Sequence, residues 1–423
     1  MAASSPTHST RPPEGSTRLH RKVLIVLATG QITGGLGVGA TLALGALLVS
    51  EVSGSSALSG LAATMNTLGA AILAIPLARL AQRRGRRISL TTGALVAILG
   101  ASVIITAAVL GSLPLLLLGM GLQGAGIALN LQSRFAATDL APQKTRARDL
   151  SLIVWSTTIG SVVGPNLFEP SELLGRALGL PQFTGGFLIA MAAQVLGAAV
   201  YFLGLRPDPL KLALDRGAAI KNKPGPAGGF GSLRSVPAAR RAVLIVALSH
   251  AVMVAVMSMT PVHLTSHGAA LSLVGLTISL HVAGMYALSP VFGWLADKMG
   301  RAQTVLLGQA IFAVALLLTF LGAENQTLVL TALILLGLGW SASTVAGSTM
   351  VTESVPVQDR PGLQGTSDLV MNLCGALGGA MAGPILALVG FSGLGLVFLA
   401  AVLVVTVVAA KTLRATRVTR ATI

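Results

Sequence analysis

Gly293-Trp294-Leu295-Ala296-Asp297-Lys298-Met299-Gly300-Arg301 stands between two long apolar runs, 271–296 and 303–322, and its reading decides the fold. A nonapeptide of this kind reads as a tight turn between helices, with Gly300 at the backbone bend. Asp297 is suited to face a helix N-terminus, whose partial positive charge favours an anion. Lys298 or Arg301 is suited to pair with Glu353. The pattern recurs 215 residues earlier as Ala78-Arg79-Leu80-Ala81-Gln82-Arg83-Arg84-Gly85-Arg86, with Ala78 for the first Gly and Gln82 for the Asp. Here Arg83 or Arg86 is the candidate partner of Asp139. Two more pairs keep the same order. Thr138-Asp139-Leu140-Ala141-Pro142 matches Thr352-Glu353-Ser354-Val355-Pro356 at an offset of 214, and Asp149, Gly160, Gly164 and Pro165 match Asp368, Gly379, Gly383 and Pro384 at 219. Three anchors in one order imply a duplicated helical unit.

The turns are embedded in a chain that water would not tolerate. Hydrophobic residues make up 53%, charged residues 10%, and the mean hydropathy is +0.82; soluble domains carry about 25% charged residues. Glycine is abundant and aromatics are few, which suits closely packed membrane helices. Apolar segments at 23–49, 57–80, 88–110, 114–138, 150–168, 182–205, 242–265, 271–296, 303–322, 327–352, 364–389 and 391–410 predict twelve transmembrane helices, each near the roughly 20 residues that cross a bilayer. With twelve spans, 28 of the 29 Lys and Arg residues fall on one face, and only Arg176 falls opposite. By the positive-inside rule that face, with both termini, is cytoplasmic. The net charge of +16 is then a topology signal facing anionic headgroups, and nucleic acid is not expected as a partner.

The predicted organisation is a disordered tail (1–22), an N-terminal six-helix bundle (23–205), a polar linker rich in Pro, Gly and Lys (206–241), a C-terminal six-helix bundle (242–410) and a second tail (411–423). The run after the first tail is too long for a signal-peptide core. Cys374 is the single cysteine, so no internal disulfide forms. No nucleotide-binding motif, catalytic triad or zinc-type cysteine cluster is visible, so neither an enzyme nor a cofactor is expected.

The loop 293–301 resembles the signature of the major facilitator superfamily, G-x-L-A-D-R/K-x-G-R/K. The resemblance extends over the whole chain and implies an all-α membrane fold of two pseudo-symmetric six-helix bundles. It further implies alternating access, with the loop cluster as a latch: Gly293, Asp297, Lys298, Gly300, Arg301 and Glu353 in one half, Arg83, Gly85, Arg86 and Asp139 in the other. With Gln82 neutral, the first-half latch is expected to be the weaker. Gly160-x-x-x-Gly164-Pro165 resembles the superfamily's antiporter motif, although Phe168-Glu169 stands where the family has Gly-Gly. Because Gly379, Gly383 and Pro384 repeat it, both are read as packing hinges. Gln123-Gly124-Ala125-Gly126 resembles the tail of the helix 4 motif, with Met120 at the position of its arginine, which speaks against a drug–proton antiporter.

All thirteen acidic residues fall in tails, loops or helix ends, with Asp149 and Asp368 the deepest, each about one turn into a helix from the cytoplasm. Four of the six histidines, His250, His263, His267 and His281, lie in the seventh and eighth segments. His250, Met253 and Met257 are spaced along one helix face, and Met285 lies one turn beyond His281. At 1.5 Å per residue, Met253 lies roughly 16 Å from one boundary and His281 about 15 Å from the other, both near the midplane. Thioether and imidazole ligands without a carboxylate suit Cu(I). Met253-x-x-x-Met257 followed by His281-x-x-x-Met285 resembles the motifs of CcoA-like copper importers, although those carry several cysteines. Gln31, Gln123, Asn130 and Trp340 are candidates for the wall of a substrate cavity. The expectation is a monomeric secondary transporter of the bacterial inner membrane, taking copper into the cytoplasm. The alternatives are a proton-coupled exporter of amphipathic drugs or small organic solutes, and an importer of a riboflavin-like solute.

Overall fold

The computed structural model describes residues 14–55, 58, 61–163, 167–218, 229–269 and 271–421. No strand occurs among them. The first half contains α1 (Glu14–Ser53), α2 (Leu61–Arg84), α3 (Arg86–Leu110), α4 (Leu113–Ala136), α5 (Arg146–Val163), α6 (Phe168–Ala177) and α7 (Gly185–Gly204). Two short helices follow, α8 (Pro209–Ala218) and α9 (Gly229–Ser235). The second half contains α10 (Pro237–Ser266), α11 (Leu271–Tyr286), α12 (Ser289–Lys298), α13 (Arg301–Leu321), α14 (Gln326–Glu353) and α15 (Arg360–Ala421).

Among the described residues, nine helical stretches are long and apolar enough to cross a membrane. One of them, Val357–Arg414, is 58 residues long and breaks at Gly390 (φ 71°, ψ −179°), so it holds both segments predicted at 364–389 and 391–410. The two remaining predicted segments lie in α1, 40 residues long, and α5, 18 residues long. Outward-facing side chains are apolar. Leu388 is 83% exposed and Leu321 75%, an arrangement stable in lipid and costly in water.

Each half closes on itself. In the first, α1 packs on α4, α5 and α7, while α2 and α3 pack on α4. In the second, α10 packs on α14 and α15, and α13 packs on the same two. The halves meet where α2 and α4 touch α15 and where α5 touches α11, α12 and α14. Close helix approach depends on missing side chains: a Cβ on Gly160 of α5 would run into the backbone of Gly35 on α1.

The tails and linker are more ordered than the polar composition suggests. Helix α1 starts at Glu14, so residues 14–22 of the predicted disordered tail are helical. The His20 side chain anchors this extension through Asp149, Nε2 to Oδ2 at 2.9 Å. In the linker, Asp208 caps α8 by accepting from the N–H groups of Leu210 (3.0 Å) and Lys211 (3.3 Å), with Pro209 as the first helical residue. Its other oxygen accepts from the Arg87 N–H at 2.8 Å, which ties the linker to the start of α3. The seventh segment begins at Pro237, five residues before its predicted start.

Candidate functional site

The turn that opened the sequence analysis sits where α12 meets α5. Gly300 has φ 112° and caps α13; Gly85, its counterpart before α3, has φ 92°. Both backbone angles disfavour any residue with a Cβ. Asp297 Oδ1 accepts from the Ala147 N–H at 3.2 Å and Oδ2 from the Arg148 N–H at 2.9 Å. These are otherwise orphaned donors in the first turn of α5, so the carboxylate of one half caps a helix of the other. Arg301 Nη2 lies 3.0 Å from Asp297 Oδ1 and 3.1 Å from Glu353 Oε1, and Arg146 of the first half reaches Glu353 at 3.4 Å. Lys298 takes no part in this cluster; its ammonium lies 4.6 Å from the Trp294 ring centroid. Gly293 allows the closure, since a Cβ there would strike the Ser151 side chain.

The first-half copy makes the same connection by different means. Arg86, not Arg83, takes Asp139: Nε to Oδ2 is 2.8 Å and Nη2 to Oδ1 is 3.2 Å, with both side chains at most 1% exposed. Arg86 Nη2 also donates to Gln364 Oε1 on α15 at 2.6 Å. Gln82 donates to the Gln358 carbonyl at 3.0 Å, in the 3-10 turn before α15. The missing glycine is supplied by the partner helix: Ala78 lies against Gly365 of α15, where a Cβ would meet the Ala78 methyl. What the sequence reading did not include is the bond from Arg86 to Gln364, by which this buried arginine itself crosses between the halves.

Of the hinge residues, Gly160 rests on Gly35, Gly379 rests on Val254 of α10, and Gly383 faces open space. Pro384 lies inside α15. Gly164 and Pro165 lie outside the described residues.

Between the halves is a cavity of about 180 Å³. Its walls come from α1 (Gln31), α4 (Asn130, Arg134), α5 (Thr157), α10 (His250), α11 (Met285, Tyr286), α14 (Trp340) and α15 (Asn372). Gln31 donates to Thr157 Oγ1 at 2.8 Å and accepts from the Ser133 hydroxyl, which fixes its amide. Asn130 Oδ1 is buried without a partner. Trp340 Nε1–H donates to His250 Nδ1 at 3.0 Å, and the Tyr286 ring meets Trp340 edge-on at 5.7 Å. Because indole only donates, His250 accepts at Nδ1 and is held neutral.

The candidate residues divide. Gln31, Asn130, Trp340, His250 and Met285 line the cavity, whereas Gln123 is buried within α4's packing and does not. Met253 and Met257 sit in the apolar cluster of the second half, which also includes Met285 and Trp340. His281 Nδ1 bonds the Leu333 carbonyl of α14 at 2.8 Å, and its Nε2 has no partner. His263 bonds the Ala323 carbonyl at 2.6 Å and stacks on Phe391. Of the predicted sulfur ligands, Met253 and Met257 lie in the apolar packing and Met285 also reaches the cavity wall. His250 accepts from Trp340 at Nδ1 and lines the cavity. Among the described residues, no group of three or more His, Cys, Asp or Glu is placed to hold a metal.

Sequence reasoning missed Arg134, Tyr286, Thr157 and Asn372. Arg134 had been counted as a topology charge at the end of helix 4. The available signal was its spacing, one turn beyond Asn130 on the same helix face.

The comparisons with known proteins agree with this architecture. The chain is 38% identical over 379 residues to the uncharacterized MFS-type transporter YdeG of Bacillus subtilis, covering 89% of this chain and 88% of that protein. It is 30% identical over 361 residues to the riboflavin transporter RfnT of Brucella anthropi, covering 83% and 85%. The crystal structure of the human organic anion transporter MFSD10 matches with a TM-score of 0.73 at 18% identity, over 94% of this chain and 100% of that one. The sequence profile of the Major Facilitator Superfamily matches residues 27–280 and 242–423. Two helical halves joined by paired glycine turns, with a cavity between them and these relatives, make this chain a member of the Major Facilitator Superfamily and a secondary membrane transporter.

Proposed function

We propose that the transporter carries a small organic solute with a flat ring, bound in the cavity between the halves. The observation that carries this reading is the wall itself. An aromatic corner of Trp340, Tyr286 and His250 faces the amides of Gln31, Asn130 and Asn372. Such a mixture of ring faces and placed polar groups suits an organic molecule. The relation to RfnT, a riboflavin transporter at 30% identity, supports a heterocyclic solute. The volume argues for something smaller in this conformation: about 180 Å³ lies below the ~300 Å³ at which ligand sites of drug size begin. In this reading the latch face is cytoplasmic, as the cation placement implies, and the membrane is the bacterial inner one.

The test is uptake into proteoliposomes of labelled benzamide and labelled riboflavin by the wild type and by Trp340→Ala and Trp340→Phe. Uptake of at least one solute is expected, with a loss of about tenfold or more in Trp340→Ala and a smaller loss in the Phe variant. Unchanged uptake in Trp340→Ala would remove the cavity from the transport path.

A second reading, copper uptake, rests on the unpartnered Nε2 of His281 beside the cluster that holds Met253, Met257 and Met285. It is carried into the same assay. Loss of copper accumulation in both Met253→Leu and His281→Gln, with Trp340→Ala unaffected, would put copper first.

A further inference from the structure

We propose that the central cavity selects an organic anion, whose carboxylate docks on the guanidinium of Arg134. The proposal rests on the cavity being the solute site and adds the charge of the solute.

Arg134 is the one formally charged side chain among the residues lining the cavity; its counter-ion Asp368 does not line it. A solute entering the cavity therefore meets a cation without meeting the matching anion. The pair is deeply buried, Arg134 at 3% exposure and Asp368 at 1%, and it joins α4 of one half to α15 of the other. It is also incompletely made. Both contacts of the guanidinium leave from Nη2, to Asp368 Oδ1 at 2.7 Å and to Met371 Sδ at 3.9 Å. Arg134 Nε–H and Asp368 Oδ2 are buried with no hydrogen-bond partner. A guanidinium fork matched to a carboxylate normally makes two parallel bonds, so Arg134 holds an unused donor at a site where an unpaired donor is costly.

The surroundings discriminate in the same direction. A cationic solute would face Arg134 in a medium of low dielectric and be repelled. A neutral one can accept a hydrogen bond from the guanidinium but supplies no negative charge to it, so its contact is the weaker. The Phe135 ring lies 4.8 Å from the guanidinium carbon and flanks the cation. Asn372, one turn after Asp368 and on the cavity wall, donates to the Asp368 carbonyl at 2.8 Å, so it steadies the helix turn without competing for Arg134.

Equilibrium binding of benzoate and benzamide to the full-length chain in lipid nanodiscs tests this, because the two share ring and size and differ in charge. Arg134→Gln alone strands Asp368 and threatens folding, so the neutral pair R134Q/D368N is the principal variant, with Trp340→Ala as the control for the aromatic wall. The wild type is expected to bind benzoate at least about tenfold more tightly than benzamide. R134Q/D368N is expected to bind benzoate no more tightly than benzamide, and Trp340→Ala to weaken both probes together. Equal affinity of the wild type for the two probes overturns the anion assignment and leaves the organic-solute reading standing. A benzoate preference that survives in R134Q/D368N overturns Arg134 as the receptor. Absence of binding for both probes counts against both readings.

Discussion

Arg86 and Arg83 are three residues apart in the same basic turn, and their surroundings give them opposite roles. Arg86 is buried against Asp139 and Gln364, whereas Arg83 is exposed and makes no ion pair among the described residues. Arg86→Gln takes the hydrogen-bonded partner from the buried Asp139 carboxylate, with Arg360 remaining as a nearby cation, and is expected to cost up to about 3–5 kcal/mol. Arg83→Gln removes a solvated charge and should stay within about 0.5 kcal/mol. Thermal unfolding of the detergent-solubilised variants checks both; equal midpoints would mean that the buried pair contributes nothing to stability. The sequence showed that one of these arginines would take Asp139. It did not show which, because both flank Gly85 and the choice depends on the direction α3 leaves the turn.

At the scale of elements, the predicted latch residues cap a helix across the boundary between the halves. Asp297→Asn keeps the shape but removes the charge that faces the first turn of α5 and the Arg301 guanidinium. A partly buried charge at a helix terminus contributes up to about 2 kcal/mol, so the variant should insert normally and favour the state in which α12 and α5 are apart. Gln82→Asp does not repair the first copy: Gln82 donates to the Gln358 carbonyl, and a carboxylate there would set oxygen against oxygen. Distances between spin labels on α5 and α12 measure the first effect. An unchanged distance distribution in Asp297→Asn would show that the cap does not bias the cycle. Gly293→Leu serves as the steric counterpart, because a side chain there collides with Ser151.

For the whole molecule, the placement of cations makes a topology prediction that the packing alone does not. A reporter fused after Gly228 should read as cytoplasmic and one fused after Gly175 as external. Both on the same side would refute the twelve-span arrangement. The contacts between the two halves fall into two groups. Gly365 against Ala78 and Gly293 against Ser151 bring the halves together at the charged face, while Arg134 and Asp368 join them beside the cavity.

The amino-acid sequence determined the class of this protein, because its signals are local. Apolar segments of bilayer length, cations confined to alternate loops and a repeated glycine-acid-cation turn each lie within a few dozen consecutive residues. Asp297 against a helix N-terminus and Gly300 at a bend were readable for the same reason. The tertiary structure decided what the polar residues inside the bundle do. Gln31, Asn130, Arg134, His250, Tyr286, Trp340 and Asn372 come from six different helices and meet in one cavity, while Met253, Met257 and His281, spaced as regularly along the chain, turn into packing and a backbone carbonyl. Helical spacing fixes which residues share a face. It leaves open whether that face meets a neighbouring helix or the space between the halves, since the rotation of each helix is set by packing against neighbours distant in sequence.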